Sequence, residues 1–324
     1  MKPLLSVESV KKYFPVERGL SRKVIGYVKA VDGVTFKLDK GKVSGIVGES
    51  GCGKTTLARI VLGLLKPTAG EVFFKGQDIT ALAPDKTRAL RRLLQIVFQD
   101  PYNSLNPRMR IKDILIEPLI VHSIGNTKYR LDKAADLLSQ VGLSAEFLNR
   151  YPHQFSGGER QRIGIARALA TGPELVVCDE PVSSLDLSIQ ASILKLLMDL
   201  RARLNLSYLF ISHDLRVIET ISDNVMVMYL GKIFEFASTR DLYAMPIHPY
   251  TNTLFSAIAI GSERKKMSLA ASGELPSPIS PTTGCKFHTR CPYAEPLCKI
   301  EEPPLIEIKP GHFASCPPMT RRLI

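Results

Sequence analysis

Several features that would place this 324-residue sequence in a special class are missing from it. It has no tryptophan, and no run of 18 or more apolar residues is present, so no helix is expected to cross a membrane unaided. The N-terminus reaches Glu8, Lys11 and Lys12 without an apolar stretch of signal-peptide length. We therefore expect the protein to stay in the cytosol.

The composition is close to the globular average, with 45% hydrophobic and 23% charged residues, 22 glycines and 22 prolines, which excludes wholesale disorder and collagen-like repeats. The length is typical of one large domain or two. The 43 Lys and Arg residues outnumber the 31 Asp and Glu residues, and the net charge of +12 invites a nucleic acid or an anionic membrane as partner. The basic residues are scattered, with no block of six like charges, so charge alone decides nothing.

The strongest pattern begins where a short apolar strand is predicted over residues 41–47. It is followed by G-x-x-x-x-G-K-T and then by apolar residues at helical spacing, which is the context that a phosphate-binding loop (P-loop) requires. Glycines allow backbone N–H groups to turn towards phosphate oxygens, and the start of the helix adds the positive end of its dipole. Lys54 is expected to reach the β- and γ-phosphates of ATP, and Thr55 to supply a hydroxyl to Mg²⁺. The predicted nucleotide-binding residues are Gly48, Glu49, Ser50, Gly51, Cys52, Gly53, Lys54, Thr55 and Thr56.

A second apolar strand, predicted over residues 174–178, ends in two acidic residues, Asp179 and Glu180. A carboxylate at the end of a buried strand beside a P-loop can hold Mg²⁺, directly or through water, and we expect this of Asp179. Glu180 is then placed to orient and polarise the water that attacks the γ-phosphate.

Between these strands, Ser156, Gly157 and Gly158 precede a predicted helix. Ser156 is a favourable N-cap, and Glu159 completes a capping box, so one interpretation is simply a well-capped helix. A Ser-Gly-Gly turn at a helix N-terminus is also a second anion site. The residues alone fit both interpretations.

At this point the ordered motifs resemble the ATP-binding subunits of ATP-binding-cassette (ABC) transporters, over about residues 4–260. The signature of that family has the form L-S-G-G-Q, and residues 155–159 read F-S-G-G-E here. The exchange of Gln for Glu keeps a capping side chain in place. Gln99 matches the glutamine of the family's Q-loop, which implies that it contacts Mg²⁺ and the attacking water.

The resemblance implies three further roles. Asp186 belongs to the D-loop that follows Glu180, and His213 matches the switch histidine at the γ-phosphate. Tyr13 matches the aromatic residue that stacks on adenine, with Phe14 and Tyr27 as competitors.

The family also implies a fold: an α/β core with a mainly parallel sheet, an antiparallel β subdomain near the N-terminus, and a helical subdomain at about residues 100–170. In that fold, ATP lies between the P-loop of one chain and the signature of another, in a head-to-tail dimer. Residues 100–109, which follow Gln99, are the implied docking surface for membrane subunits. A later helix is predicted to face the core through Ile189, Ile193, Leu196, Leu200 and Leu204.

The composition changes near residue 270, where cysteines and prolines crowd together. We place a main nucleotide-binding domain at residues 1–262 and a small Cys/Pro-rich region at residues 263–324. Residues 98–107, 246–251 and 284–292 resemble the oligopeptide/dipeptide importers. Some members of that subfamily move nickel or glutathione, so the substrate stays open.

Four of the six cysteines lie in this region: Cys285, Cys291, Cys298 and Cys316. Two disulfides are disfavoured in a reducing cytosol, and unligated thiols remain an alternative. Zinc fits four sulfurs, but its ligands usually come in closely spaced C-x₂₋₄-C pairs, which this region lacks. The resemblance favours a [4Fe–4S] cluster, which relatives carry at similar cysteines, as a staple for a segment without its own core. His288 and His312 lie nearby and could replace a ligand.

The sequence therefore predicts an ATP-hydrolysing subunit at the cytoplasmic face of the membrane that powers import of dipeptides, oligopeptides or a related small solute. The implied partners are two membrane permease subunits, a second and related ATP-binding subunit, and an extracytoplasmic solute-binding protein, with no nucleic acid. The alternative is a soluble ABC-type ATPase that acts on nucleic acid, but such proteins usually carry tandem cassettes or long coiled coils, which the sequence lacks. A third interpretation, an iron–sulfur protein that ATP only regulates, is disfavoured by Glu180 and His213.

Overall fold

The computed structural model of the chain describes residues 2–18, 23–258 and 282–321. These residues form two compact units. The first unit comprises the residues up to Leu4, Leu38–Val43 and Ala81–Ile211. The second unit comprises Leu5–Lys37, Ser44–Thr80 and the described residues from Ser212 onwards.

Strands and helices alternate along most of the described chain. The strands are β1 (Leu5–Arg18), β2 (Lys23–Leu38), β3 (Val43–Val47), β4 (Ala69–Phe74), β5 (Gln77–Asp78), β6 (Leu94–Val97), β7 (Leu175–Asp179), β8 (Ser207–Ile211), β9 (Asn224–Tyr229), β10 (Lys232–Ser238), β11 (Ile306–Lys309) and β12 (His312–Ala314). The α-helices are α1 (Lys54–Val61), α2 (Pro84–Arg91), α3 (Pro101–Ser104), α4 (Ile111–Val121), α5 (Thr127–Gln140), α6 (Gly157–Leu169), α7 (Leu187–Leu204), α8 (Leu215–Ile221), α9 (Thr239–Ala244), α10 (Pro249–Ile258) and α11 (Pro317–Thr320). Short 3₁₀ helices lie at Ala145–Asn149, Pro152–Gln154 and Pro296–Lys299.

In the second unit, the N-terminal strands form a sheet in the order β2-β1-β4-β5. β1 pairs antiparallel with β4, and β4 with β5, as the family resemblance implied for this part of the chain. The end of β2 alternates between buried and exposed positions, with Val34 and Phe36 buried. A period of two is typical of a strand that places one face on a core.

Another sheet of the second unit has the order β11-β12-β10-β9-β3. β3 and β9 are parallel, whereas β9–β10, β10–β12 and β12–β11 are antiparallel. Every residue of β3 is buried, as in strands that are covered on both faces. The antiparallel extension made by β10, β12 and β11 was not predicted from the sequence.

In the first unit, β6, β7 and β8 lie side by side in that order, and both pairings are parallel. Every residue of β7 and β8 is buried. α4, α5 and α6 lie within residues 100–170 and contact one another. The parallel core strands and the helical region are therefore present as predicted.

The core-facing stripe predicted for α7 is confirmed in the middle of the helix and wrong at its end. Ile193, Leu196 and Leu200 are buried, whereas Leu204 is 45% exposed. α7 ends at Leu204, and Asn205 turns the chain with a φ of 52°. Leu204 therefore lies at the end of the helix, where solvent reaches its side chain.

The predictions about membrane spans and about the domain boundary can be compared with the structure only where residues are described. Within the described residues, none of the helices combines the length and the hydrophobicity needed to span a lipid bilayer. The predicted domain boundary at residue 262 falls in residues 259–281, outside the described part of the chain. Residues 282–321 of the Cys/Pro-rich region belong to the second unit.

Glu235 of β10 is a fully buried acidic residue that joins three segments of the second unit. Its Oε1 accepts a hydrogen bond from the backbone N–H of Ile247 and lies 2.8 Å from Nε2 of His312. Its Oε2 accepts a hydrogen bond from the backbone N–H of His248. Burial of a carboxyl group is tolerated where donors surround it in this way.

We predict that Glu235→Ala lowers the free energy of unfolding by about 3 to 5 kcal/mol, because it leaves buried donors without an acceptor. Urea-induced unfolding measures the change. The control is Glu71→Ala at an exposed position of β4, for which the change should stay within about 0.5 kcal/mol. Equal losses in the two variants would contradict the role of Glu235.

Candidate functional site

The P-loop lies in the second unit, between the end of β3 and the start of α1. Gly48 has a φ of 154° and Gly53 a φ of 108°. A β-carbon at Gly48 would lie 2.0 Å from the carbonyl oxygen of Met228, and one at Gly53 would lie 2.0 Å from that of Ala30. Only glycine fits at these two positions, because neighbouring backbone occupies the space of a side chain.

Lys54 is the first residue of α1, and its side chain turns back over the P-loop. The residue is only 5% exposed, and its Nζ donates to the carbonyl oxygens of Gly48 at 2.7 Å and Glu49 at 3.0 Å. The ammonium group is therefore held above the loop at the N-terminus of a helix, where a phosphate would be attracted by both. Thr55, which follows it, has an exposed side chain.

Tyr13 lies on β1, and its hydroxyl donates a hydrogen bond of 2.5 Å to Oδ1 of Asp32. Burial and the hydrogen bond to Asp32 together raise the pKa of Tyr13 to about 12. The ammonium group of Lys29 lies 5.5 Å from the centre of the Tyr13 ring. Of its two competitors, Phe14 is 38% and Tyr27 is 51% exposed. Tyr13 is thus the most firmly positioned of the three.

His213 follows β8 in the chain and belongs to the second unit. The backbone N–H of Ser212 donates to the carbonyl oxygen of Ile46, at 3.1 Å. Ile46 lies in β3, the strand that leads into the P-loop, so the backbone next to His213 is joined to that strand. The side chain of His213 is exposed.

Gln99 and Glu180 are brought together in the first unit. Nε2 of Gln99 donates to Oε2 of Glu180 at 3.1 Å, and the hydroxyl of Ser184 donates to the carbonyl oxygen of Gln99 at 3.5 Å. Glu180 has a φ of 49°, which is rare for a residue with a side chain. Its backbone N–H donates to the carbonyl oxygen of Ile211, which holds it in this conformation. Backbone strain of this kind clusters at functional sites.

Asp179 and Asp186 flank Glu180 in the chain. Asp179 is the last residue of β7 and is 8% exposed. Asp186 is the N-cap residue of α7, but its side chain makes no capping hydrogen bond. Both therefore lie at the ends of elements of the first unit, and the strand end at Asp179 is as the sequence predicted.

The capping box predicted at Ser156 is confirmed. Oε2 of Glu159 accepts hydrogen bonds from the hydroxyl and the backbone N–H of Ser156, at 2.7 and 2.9 Å. These hydrogen bonds lower the pKa of Glu159. Gly157 and Gly158 form the first turn of α6.

The four cysteines of the Cys/Pro-rich region line one cavity of the second unit. The lining includes Cys285, Cys291, Cys298 and Cys316. Burial raises the pKa of the Cys285 thiol to about 11 and that of the Cys316 thiol to about 12. All six cysteines of the chain are free thiols. Four thiols on one cavity are the donor set that a cluster needs.

The geometry at these thiols does not by itself support a metal site. Within the described residues, no group of three or more His, Cys, Asp or Glu side chains is arranged to hold a metal ion. The iron–sulfur cluster and its zinc alternative therefore stay predictions.

Two contacts of the second unit, one to a predicted nucleotide-binding residue and one to the partner of another, were not predicted from the sequence. Arg290 forms an ion pair with Glu49 of the P-loop, and Lys286 forms one with Asp32, the partner of Tyr13. No local signal could have revealed them, because 241 residues separate Glu49 from Arg290.

Two family models match the chain. One, described as ABC transporter, matches residues 31–183. The other, described as the C-terminal region of the oligopeptide/dipeptide transporter, matches residues 234–298.

Curated proteins resemble the chain over nearly its whole length. The oligopeptide transport ATP-binding protein AppF of Bacillus subtilis is 51% identical over 317 residues, which cover 97% of this chain and 96% of AppF. The dipeptide transport ATP-binding protein DppF of Haemophilus influenzae is 49% identical over 316 residues, which cover 97% of this chain and 96% of DppF.

A solved structure shares the fold. The ATP-binding cassette MJ0796, seen as a dimer in a post-hydrolysis state bound to ADP and Pi, matches with a TM-score of 0.65 and 28% identity. The match covers 73% of this chain and 99% of the cassette. It confirms the predicted α/β fold class.

Gly157 and Gly158, in the turn that begins α6, allow a test of how α6 packs against α7. A β-carbon at Gly158 would lie 2.7 Å from Cγ2 of Ile189, whereas one at Gly157 would lie 3.5 Å from Cδ2 of Leu185, an ordinary contact. We predict that Gly158→Ala lowers the free energy of unfolding by about 1 to 3 kcal/mol, because α6 must move away from α7. Gly157→Ala is the matched control and should not destabilise the protein.

Thermal unfolding of the two variants measures this difference. In an Ile189→Ala background, which removes the obstructing group, Gly158→Ala should lose its effect. An equal effect in both backgrounds would show that Ile189 is not the cause.

Proposed function

The chain belongs to the ATP-binding proteins of the oligopeptide/dipeptide ABC transporters, and we propose that it hydrolyses ATP to drive the import of peptides through a membrane complex. The observation that carries the proposal is the position of Lys54, whose ammonium group is held above the P-loop. Only glycine fits at two positions of that loop, Gly48 and Gly53. The names of AppF and DppF support peptides as the substrate class, with nickel, glutathione or another small solute open. They favour this function over the alternative of an ATPase that acts on nucleic acid.

We propose that the second unit binds the nucleotide. Tyr13 stacks on adenine, and residues 48–56 surround the phosphates with backbone N–H groups. Lys54 exchanges its hydrogen bonds to loop carbonyl oxygens for the β- and γ-phosphates. Thr55, with Asp179 and Gln99, would hold Mg²⁺. When bound, Mg²⁺ would supply positive charge to the phosphate oxygens.

Glu180 serves the chemical step in this proposal. It accepts a hydrogen bond from the attacking water, and Gln99 orients its carboxylate through the 3.1 Å hydrogen bond. The water oxygen attacks the γ-phosphorus, the bond to the bridging oxygen breaks, and ADP leaves with that electron pair. The protons of the water stay on the inorganic phosphate that forms. Lys54 and His213 stabilise the charge that develops on the phosphate oxygens.

A complete ATP site would be shared between two ATP-binding subunits. We propose that Ser156, Gly157 and Gly158 of one subunit contact the phosphates bound to the P-loop of the other, with Asp186 beside them. The hydroxyl of Ser156 would exchange its hydrogen bond to Glu159 for the phosphate. The second subunit is proposed to be a related protein, and the dimer of MJ0796 supports a paired arrangement.

The proposed partners follow from the proposed transport. They are two membrane permease subunits and an extracytoplasmic solute-binding protein, with the chain bound peripherally at the cytoplasmic face of the membrane. Residues 100–109 are proposed as the docking surface, and the 62% exposure of Tyr102 there supports this. The net charge of +12 is compatible with an anionic membrane surface.

We keep the domain division at residues 1–262 and 263–324 as a proposal, together with the cluster. The four cysteines are proposed to hold a [4Fe–4S] cluster, with zinc as the alternative, and their position on one cavity supports this. To act as ligands, the four thiols would have to lose their protons and become thiolates. The positive charge of a bound metal favours this loss.

Glu180→Gln tests the chemical step. We predict that it abolishes hydrolysis while an ATP-bound dimer with the partner subunit accumulates, because a glutamine keeps the contact to Gln99 and loses the charge that polarises water. Phosphate release and size-exclusion chromatography with ATP measure the two effects. Glu146→Gln, at an exposed position, is the control and should turn over normally. Normal turnover in Glu180→Gln would contradict the assigned role.

The metal content tests the cysteine site. Protein purified without oxygen is expected to be brown and to contain iron and sulfide, and Cys291→Ser should lose both, since it removes one of the four ligands. Cys178→Ala, which changes a buried thiol of β7, should keep them. Colourless protein with one bound zinc would rule out the cluster in favour of zinc.

A further inference from the structure

Residues 285–291 of the Cys/Pro-rich region are firmly anchored within the second unit. Phe287 is 0% exposed, and its ring centre lies 5.6 Å from that of Tyr229 and 5.4 Å from that of Tyr250. The backbone N–H of His288 donates to the carbonyl oxygen of Cys285, and that of Arg290 to the carbonyl oxygen of Phe287, both at 3.0 Å. These turns hold residues 286 and 290 at defined positions in the segment.

Arg290 is joined to the P-loop by an ion pair with Glu49. Its Nη1 donates to Oε2 of Glu49 and its Nη2 to Oε1, both at 3.1 Å. Nη1 also donates to the hydroxyl of Tyr229, at 3.3 Å. A pair of parallel hydrogen bonds fixes orientation as well as distance. The side chain of Arg290 is only 10% exposed, so solvent weakens this pair less than it weakens a surface ion pair.

The backbone of Glu49 is held at the same time. Its N–H donates to the hydroxyl of Tyr250 at 2.9 Å, and its carbonyl oxygen accepts the 3.0 Å hydrogen bond from Lys54. The position of Glu49 therefore determines one of the groups that receive the P-loop lysine. Arg290 acts on that position from outside the loop.

Lys286 contacts Asp32, the hydrogen-bond partner of Tyr13. It is 4% exposed, and its Nζ donates to Oδ2 of Asp32 at 3.1 Å and to the carbonyl oxygen of Leu230 at 2.8 Å. The other oxygen of Asp32, Oδ1, accepts the hydrogen bond from the Tyr13 hydroxyl. One carboxylate thus links Lys286 to Tyr13. Nζ of Lys232 lies 3.8 Å from the same oxygen, Oδ2, but the shorter 3.1 Å hydrogen bond comes from Lys286.

We propose that Lys286 and Arg290 are positioning residues for the nucleotide, Lys286 at the adenine end and Arg290 at the phosphate end. This inference rests on the proposed function, because it takes Tyr13 as the residue that stacks on adenine and residues 48–56 as those that bind phosphate. Lys286 holds Tyr13 in one orientation towards the base. Arg290 keeps the start of the P-loop in the shape that receives Lys54.

A purely structural role for both cations makes a different prediction. If they only attached the C-terminal segment, their loss would lower stability and would not distinguish the two ends of the nucleotide. Inorganic triphosphate separates the two cases, because it has the phosphates of ATP and lacks the base.

The experiment measures the binding of ATP and of inorganic triphosphate, each with Mg²⁺, to the full chain by titration calorimetry. Lys286→Met is expected to weaken ATP binding about tenfold and to leave triphosphate binding within about twofold of wild type. Arg290→Gln is expected to weaken both ligands about tenfold, because it acts on the loop.

Two backgrounds test whether each cation acts through its named partner. In Tyr13→Phe, which keeps the ring and loses the hydroxyl, Lys286→Met should have no further effect. In Glu49→Gln, Arg290→Gln should have little further effect. Fully additive losses would overturn the proposed routes.

Lys299→Met and Arg321→Gln are the matched controls in the same region. Arg321 forms a 3.6 Å ion pair with Glu295 at the surface, where its side chain is 63% exposed. Both controls should bind ATP as the wild type does. If Arg290→Gln does not fold in a thermal scan, Arg290→Lys takes its place, since it keeps the charge but cannot make the two parallel hydrogen bonds.

Different outcomes of these titrations would contradict the positioning roles of Lys286 and Arg290 and the proposed function. Wild-type affinities in Lys286→Met and in the folded Arg290 variant would overturn the inference and leave the proposed function standing. Equal weakening of ATP and triphosphate by Lys286→Met would also overturn the role at the adenine end. A wild-type chain that binds neither ligand would overturn both proposals.

Discussion

The carbonyl oxygen of Met228 lies so close to Gly48 that a β-carbon there would sit 2.0 Å away. Gly48 is the first residue after β3, so this backbone contact fixes where a fully buried strand stops and the P-loop begins. The conformation of the loop then sets the direction of the carbonyl groups that receive Lys54. The nucleotide binding proposed for the second unit depends on this one place, where there is no room for a side chain.

Around that loop, the second unit relies on polar side chains that are buried and paired. Glu235 accepts hydrogen bonds from the backbone N–H groups of Ile247 and His248 and contacts the ring of His312. Asp32 accepts hydrogen bonds from the hydroxyl of Tyr13 and the ammonium group of Lys286. Each such group is expensive to leave unpaired in a low-dielectric interior, so each holds its partners in place. Some of these partners come from residues 282–321. Residues 285–291 thereby serve two places at once. Cys285 and Cys291 line the cysteine cavity, while Arg290 contacts Glu49 of the proposed nucleotide site and Lys286 contacts Asp32, the partner of Tyr13.

In the first unit, the residues proposed for the chemical step follow the ends of parallel strands. Gln99 follows β6, and Glu180 follows β7 with a φ of 49° that its backbone hydrogen bond to Ile211 maintains. The strained residue is the one proposed to activate water, and the hydrogen bond from Gln99 turns its carboxylate in a defined direction. At the signature turn, Glu159 accepts the hydrogen bond from the Ser156 hydroxyl, so the same residues serve as a helix cap and as a proposed anion site.

The sequence by itself was sufficient for the P-loop, the Asp179–Glu180 strand end and the Ser156 capping box, because each rests on residues that are neighbours in the chain. The order of these and further motifs along the chain indicated the family, and the family resemblance implied the α/β fold class, which the structure and the comparison with MJ0796 confirm. The tertiary structure alone decided the antiparallel strands β10, β12 and β11, the exposure of Leu204, the convergence of four cysteines on one cavity, and the ion pairs of Lys286 and Arg290. Most of those features join residues far apart in the chain. Local periodicity carries no record of such pairs, since they form only where the folded backbone brings distant segments within hydrogen-bonding distance.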